Sequence, residues 1–326
     1  MWQIFGMMLK KELVPSSQNE PSGPTFNGRI LRDGERPYGP LTSSKDLLDD
    51  AAALQARMAT DGYLFLPGLL DRERVLTARE SILAKLDDEG LLDPRYPRAE
   101  GVLRSEKEIS FRPDLAQGDK AIDALLYDAE MMDFWRFFLG GTVRHFDYTW
   151  LRARGPGEVT VTPPHCDTVY MGRGTSQLYT TWTPLDAIAY DFGGLMILEG
   201  SCHREHELGE YWYMDVDAYC TNTAEGKQVS AGEKGWQDDK NGGMFTDDAF
   251  KASKELEGRW LGAEYEMGDV LMFGMHTLHA AADNRTNRIR LSTDSRYQLA
   301  SEPVDERWIG ANPIRHGPKG KKGMIC

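Results

Sequence analysis

Thr162-Pro-Pro-His-Cys-Asp-Thr168 sets an imidazole and a carboxylate two residues apart. On an extended strand both side chains leave the same face. A further imidazole comes from Gly268-Asp-Val-Leu-Met-Phe-Gly-Met-His-Thr-Leu-His279, in which His276 and His279 differ by three and cannot both join that face. Two imidazoles and one carboxylate are the facial set that holds Fe(II) while leaving coordination positions open. Downstream, Ile289, Leu291 and Thr293 alternate with Arg290, Ser292 and Asp294, so Arg290 and Ser292 share one strand face. A guanidinium held inside a domain needs an anionic partner, and its planar fork suits a carboxylate. The chemistry indicated is oxygen activation at iron with a dicarboxylate cosubstrate.

Each of these residues also has a plainer reading. A His-x-Asp tripeptide is weak by itself, and His165 and Asp167 are equally compatible with a loop. Arg285, Arg288, Arg290 and Arg296 form a basic run near a turn, which is usually a solvated face. Of the remaining histidines, His203 and His206 lie in a polar insertion, His316 in a basic tail and His145 in an alternating strand. Spacing does not choose between His276 and His279.

The elements that must position these groups fall into two halves. Ser44 reads as the cap of a helix carrying Leu47, Leu48, Ala51, Leu54 and Met58 and ending at Gly62; Asp71 reads as the cap of a second, carrying Val75, Ala78, Ile82, Leu83 and Leu86. A third helix is predicted from about Lys120 to Gly140-Gly141. Short strands are predicted afterwards, at 143–151, 158–161, 179–184, 194–198, 270–275 and 289–297. Helices followed by many short strands imply a mainly β domain with flanking helices, a jelly roll or sandwich. We read residues 1–44 as an arm, 45–310 as one domain and 311–326 as a tail. Residues 203–260, polar and carrying Trp212, Tyr213, Trp236 and Trp260, read as a lid-like insertion.

With 51 acidic against 38 basic side chains in 326 residues, the formal charge is −13. That balance disfavours nucleic acid and anionic membranes as partners. The four cysteines, Cys166, Cys202, Cys220 and Cys326, show no regular spacing, so neither a disulfide framework nor structural zinc is expected and a reducing, cytoplasmic setting follows. The apolar start, Met1 to Leu9, lacks the flanks of a signal peptide, and nowhere do about eighteen apolar residues run together. An oligomer is allowed but not indicated.

Taken together, the segments resemble the phytanoyl-CoA dioxygenase family of Fe(II)/2-oxoglutarate-dependent oxygenases. Asp61-Gly-Tyr-Leu-Phe-Leu-Pro-Gly-Leu-Leu70 is similar to the family's N-terminal segment, and Thr181-Trp-Thr-Pro-Leu-Asp186 with Gly193-Gly-Leu-Met-Ile-Leu-Glu-Gly-Ser-Cys-His203 to its strand and Gly-Ser-His turn. Gly268-Asp269, His279, Asp283-Asn284 and Arg290 resemble its closing segment. The resemblance spans residues 45–300 except the insertion. It implies a double-stranded β-helix (a jelly-roll, cupin-like core) and iron held by His165, Asp167 and His279, with His276 a neighbour. It implies 2-oxoglutarate held by Arg290, with Gln177, Trp182 and Trp150 as candidate walls. Alanines at 280–282 stand where the family often has a small polar residue after the distal histidine, making Ser292 the candidate replacement.

The implied reaction consumes 2-oxoglutarate and O2, with ascorbate as a possible reductant, and hydroxylates an unactivated C–H bond of a small-molecule metabolite. Asp167 argues against halogenation, because related halogenases lack that ligand. A desaturase, epimerase or ring-forming enzyme, a jelly-roll protein that merely binds metal, and a cupin-type enzyme needing no keto acid stay open.

Overall fold

The computed structural model describes residues 23–32, 38–157, 162–233 and 242–326. The predicted strand at 158–161, most of the N-terminal arm and Trp236 lie outside the described residues.

Asp50 caps helix Ala51–Asp61 by accepting from Ala53 N–H, and Gly62 closes it at φ +78°. Ser44 instead precedes a short 3-10 turn, Lys45–Leu47, makes no side-chain cap bond, and donates its N–H to Phe65 O. Gly62 is required twice over, since a Cβ there would also collide with Cys202 Sγ and Thr277 Oγ1. Asp71 caps helix Arg72–Asp88, as its position predicts. The single helix expected from Lys120 is two, Lys120–Leu126 and Ala129–Leu139.

Two main sheets carry most of the rest. The larger is ordered Tyr63–Leu66, Val270–Gly274, Tyr179–Pro184 and Arg290–Leu299; Val143–His145 and Trp150–Arg154 both pair along the far side of Arg290–Leu299. The smaller is ordered His279–Ala281, Leu195–Leu198, Trp260–Gly262 and Tyr38–Pro40. The architecture is the expected double-stranded β-helix, with two main sheets and, among the described residues, no closed barrel.

Strand parity sorts the residues. On the larger sheet Leu64, Leu66, Val270, Met272, Leu151, Leu291 and Tyr297 face the helices, where Trp135 and Ile82 pack on them. The opposite parity, Tyr63, Phe65, Leu271, Phe273 and Trp182, meets Leu195, Ile197, Leu261 and Ala281 of the smaller sheet in an apolar layer. The same inward parity of Arg290–Leu299 presents Arg290, Ser292, Asp294 and Arg296, all buried. One end of the space between the sheets is therefore apolar and the other charged.

The insertion is less a free lid than its composition suggests. Helices Glu205–Trp212 and Ala249–Glu255 cover the outer face of the smaller sheet, packing Leu208, Trp212 and Ala252 against Met196, Leu198 and Ala280. Trp260 is itself a strand residue, fully buried, its Nε1–H donating to Ala249 O at 2.8 Å. Tyr213 is 84% exposed.

The tail is also anchored. Strand Lys322–Met324 pairs in parallel with Ala218–Cys220, and Cys220 is bonded to Cys326 across 106 residues. No disulfide framework is expected from the sequence, yet this one bond forms: the partners are brought together by tertiary packing, which spacing in the chain does not register. Cys166 and Cys202 are free.

Candidate metal centre

The peptide groups of His165 and His279 exchange two hydrogen bonds of 3.0 Å, an isolated bridge that extends the smaller sheet by one partner. Asp167 is not on a strand, contrary to the two-residue alternation. Its backbone (φ −66°, ψ −24°) opens the short helix Thr168–Met171, and Thr168 N–H donates to Met275 O. The turn brings the carboxylate round to the imidazoles nonetheless. Candidate ligand atoms of His165, Asp167 and His279 all lie within 4.8 Å of one another, and all three residues are buried.

The surroundings orient each one. His165 Nδ1 is 2.8 Å from Pro163 O and His279 Nδ1 is 3.0 Å from Thr277 O, so each Nδ1 carries the proton and each Nε2 offers its lone pair. Those Nε2 atoms stand 3.9 and 3.8 Å from Asp167 Oδ1. The other carboxylate oxygen, Oδ2, accepts from Thr180 Oγ1 at 2.5 Å and from Arg296 at 2.8 Å. Burial alone would raise the Asp167 pKa; Arg296 and the two histidines override it and hold the carboxyl below its usual range. Burial lowers both histidines, His165 strongly, which keeps them neutral and able to ligate. Three oriented donors on one side of a common point fit a divalent iron ion.

Residues that sequence reading left out complete the frame. Arg296 belongs by sequence to a basic run that reads as solvated, yet its guanidinium is buried over the Trp150 ring at 4.2 Å. Asp294 accepts from Arg152 Nε at 2.7 Å. Parity from Arg290 would have found both, since 290, 292, 294 and 296 alternate inward. Ser201 Oγ accepts from Leu278 N–H, Asp269 from the N–H groups of Gly68 and Glu266, and Asn284 Nδ2 bridges Arg154 O and Arg288 O. These motif residues position the strands that bear the site.

The other candidates divide. Arg290 is buried beside Trp182, its Nη1 donating to Ser292 Oγ while its Nε has no partner among the described residues. Burial, with Arg152 adding repulsion, lowers Arg290 to about 10. Trp182 Nε1 is likewise buried without a partner. Two orphaned donors with Ser292 on one inner wall fit a carboxylate such as the far end of 2-oxoglutarate. Trp150 reaches the site as the floor under Arg296. Gln177 does not reach it: three residues before Thr180, it has the outward parity, lies exposed and accepts from Tyr179 Oη. Ala280 faces outward into the insertion's apolar layer, so a polar group there would not meet the site in any case. His276 packs on Trp212, His145 on Tyr127, His203 contacts Thr60 O, and His316 pairs with Asp217.

Residues 58–292 match the phytanoyl-CoA dioxygenase (PhyH) family. The chain belongs to the phytanoyl-CoA dioxygenase family. As a member it is a non-haem iron, 2-oxoglutarate-dependent oxygenase with O2 as oxidant, and the His165, Asp167, His279 group fits the iron. Among curated proteins it is 28% identical over 264 residues, 78% of this chain and 83% of the relative, to 1-deoxypentalenic acid 11-beta-hydroxylase from Streptomyces exfoliatus. Among solved structures it resembles the 2-oxoglutarate-dependent carbocyclase SnoK of nogalamycin biosynthesis (TM-score 0.54, 16% identity, 82% of this chain and 89% of that one). It also resembles EctD from S. alaskensis (TM-score 0.53, 18% identity, 89% and 94%). At these identities the two structures show a shared fold. Among the described residues of this family member, no helix is long and apolar enough to cross a membrane.

Proposed function

We propose that the chain hydroxylates an unactivated C–H bond of a small-molecule metabolite, with His165, Asp167 and His279 holding iron. Arg290, Ser292 and Trp182 take the far carboxylate of 2-oxoglutarate. When bound, iron and 2-oxoglutarate supply the oxidative decarboxylation by O2 that delivers one oxygen atom to the substrate. The chain's own residues do the rest. Arg296 and Thr180 keep Asp167 ionised and turn Oδ1 toward the metal. Pro163 and Thr277 carbonyls fix the imidazole tautomers. The apolar layer around Leu271, Phe273 and Ile197 excludes water from one side of the site.

The carrying observation is the intact carboxylate ligand, held by two donors and opposed by two neutral imidazoles. A metal site that retains a carboxylate favours return of hydroxyl over transfer of a halide. The curated relative's name, a hydroxylase of 1-deoxypentalenic acid, supports the same outcome. The test is anaerobic: Fe(II) and then 2-oxoglutarate are added to metal-free protein. A weak visible charge-transfer band that disappears on admitting O2, with succinate formed, is the expected result. Iron binding without such a band removes the proposal.

A further inference from the structure

The inner wall of the site holds more positive charge than iron chemistry uses. Arg152, Arg154, Arg290 and Arg296 share the inward parity of two paired strands, and the carboxylates that serve them are Asp294 and Asp167, Asp186 near Arg290 being taken by Arg79 and Arg288. Asp294 is taken by Arg152 at 2.7 Å, with Arg296 at 4.0 Å, and Asp167 by Arg296. Iron(II) and 2-oxoglutarate cancel each other in formal charge, so among the described residues two guanidinium charges stay unbalanced once both are bound. The chain as a whole carries −13, so this local excess does not follow from composition.

Arg154 is the group left over. It sits directly opposite Arg290 in the register, a like-charge cross-strand pair that is destabilising unless an anion lies nearby. Its side chain is buried, its Nη2 donates to Thr162 Oγ1, and its Nε has no partner among the described residues. Burial and the charges of Arg152 and Arg290 all work against its protonated form. An unpaired buried guanidinium is costly, and a bound carboxylate relieves that cost.

The two arginines are aimed apart. Arg290 folds along its own strand to Ser292, against the larger sheet. Arg154 crosses to Thr162, whose carbonyl accepts from Ala281 N–H of the smaller sheet, three residues before the ligand His165. One anion at Arg290 therefore leaves Arg154 free for another on the Thr162 side.

We propose that Arg154 binds a carboxylate of the substrate, so that the enzyme acts on an organic acid held by that group while a C–H bond is presented to the iron. This assignment rests on the reading of the preceding section.

The experiment uses the anaerobic enzyme loaded with Fe(II) and 2-oxoglutarate. Appearance of the visible band in the wild type establishes the iron and cosubstrate reading before any probe is added, so later outcomes bear on Arg154 alone. Cyclohexanecarboxylate and its neutral isostere cyclohexanecarboxamide are then titrated by calorimetry. The wild type is expected to prefer the acid by about tenfold or more, the usual gain of a charge-assisted hydrogen bond. Arg154→Gln is expected to erase that preference with little change in 2-oxoglutarate affinity, and Arg290→Gln to do the reverse. Arg154→Lys, which keeps a charge should Gln impair folding, is expected to retain part of the preference. Absence of a preference for the acid in the wild type overturns the proposal. So does a preference that survives Arg154→Gln, or a loss of 2-oxoglutarate binding in Arg154→Gln as severe as in Arg290→Gln.

Discussion

Asp167 stays ionised although buried because Arg296 lies 2.8 Å away, with the two histidines adding to its effect. Arg296→Gln removes the charge that sustains the ligand. We expect iron affinity to drop about 10–100-fold, the usual effect of losing a group that orients a ligand, measured by competition with a chromogenic chelator. Unchanged affinity would remove Arg296 from the site. The histidines set a pH dependence of definite sign. Both have lowered pKa values in the folded chain, so below the unfolded value near 6.5 the unfolded state takes up protons that the native state refuses. Metal-free protein should therefore lose stability as pH falls below that value, by up to about 1.4 kcal/mol per pH unit for each histidine. Denaturant titrations between pH 7 and 5 on wild type and a His165→Gln/His279→Gln double variant check this; equal slopes would contradict it.

Elements decide which aromatic residues are structure and which are surface. Trp260 and Tyr213 both belong to the insertion, but Trp260 is a strand residue with no exposure and Tyr213 is almost fully solvated. Trp260→Ala should cost about 3–5 kcal/mol by thermal or denaturant unfolding, whereas Tyr213→Ala should stay within about 0.5 kcal/mol. Similar small costs for both would mean the insertion is a cover and not part of the core. Most strand periods, the Gly62 stop and the Asp71 cap were legible in the sequence, because each depends on near neighbours, although the strand expected at 143–151 is two, Val143–His145 and Trp150–Arg154. The break near Tyr127 and Asp128 that splits one helix was not, since apolar spacing continues across it. Nor was the inward row ending at Arg296. Its neighbours Arg285 and Arg288 precede the strand, and counting charges without strand parity merges the two settings.

At the scale of the molecule, the C-terminal segment is tied to the insertion by the Cys220–Cys326 bond and by Arg307, which is caged by Asp217 and Asp305 with Asp215 close by. His316 donates to the same Asp217 and packs against Trp308 and Tyr170. Tyr170 in turn lies 5.5 Å, ring to ring, from His165, so the tail supports one wall of the metal centre. Cys326→Ser opens a loop of 106 residues and should lower stability by about 2–4 kcal/mol in oxidising buffer, with no difference from wild type under reductant. An equal melting temperature in both buffers would show that the bond carries no weight.

By itself the sequence determined the ligand types, the inward parity of Arg290 and Ser292 and the helix-then-strand order, because these follow from local periodicity and backbone sterics. Through its resemblance it also identified His279 as the distal histidine. Tertiary structure alone decided that Asp167 leaves the strand and still meets the imidazoles, that Arg296 is its counter-charge, that Gln177 faces away and that two cysteines 106 residues apart are joined. Those outcomes depend on which strands become neighbours, and that is settled by burying the two sheets against each other, not by spacing along the chain.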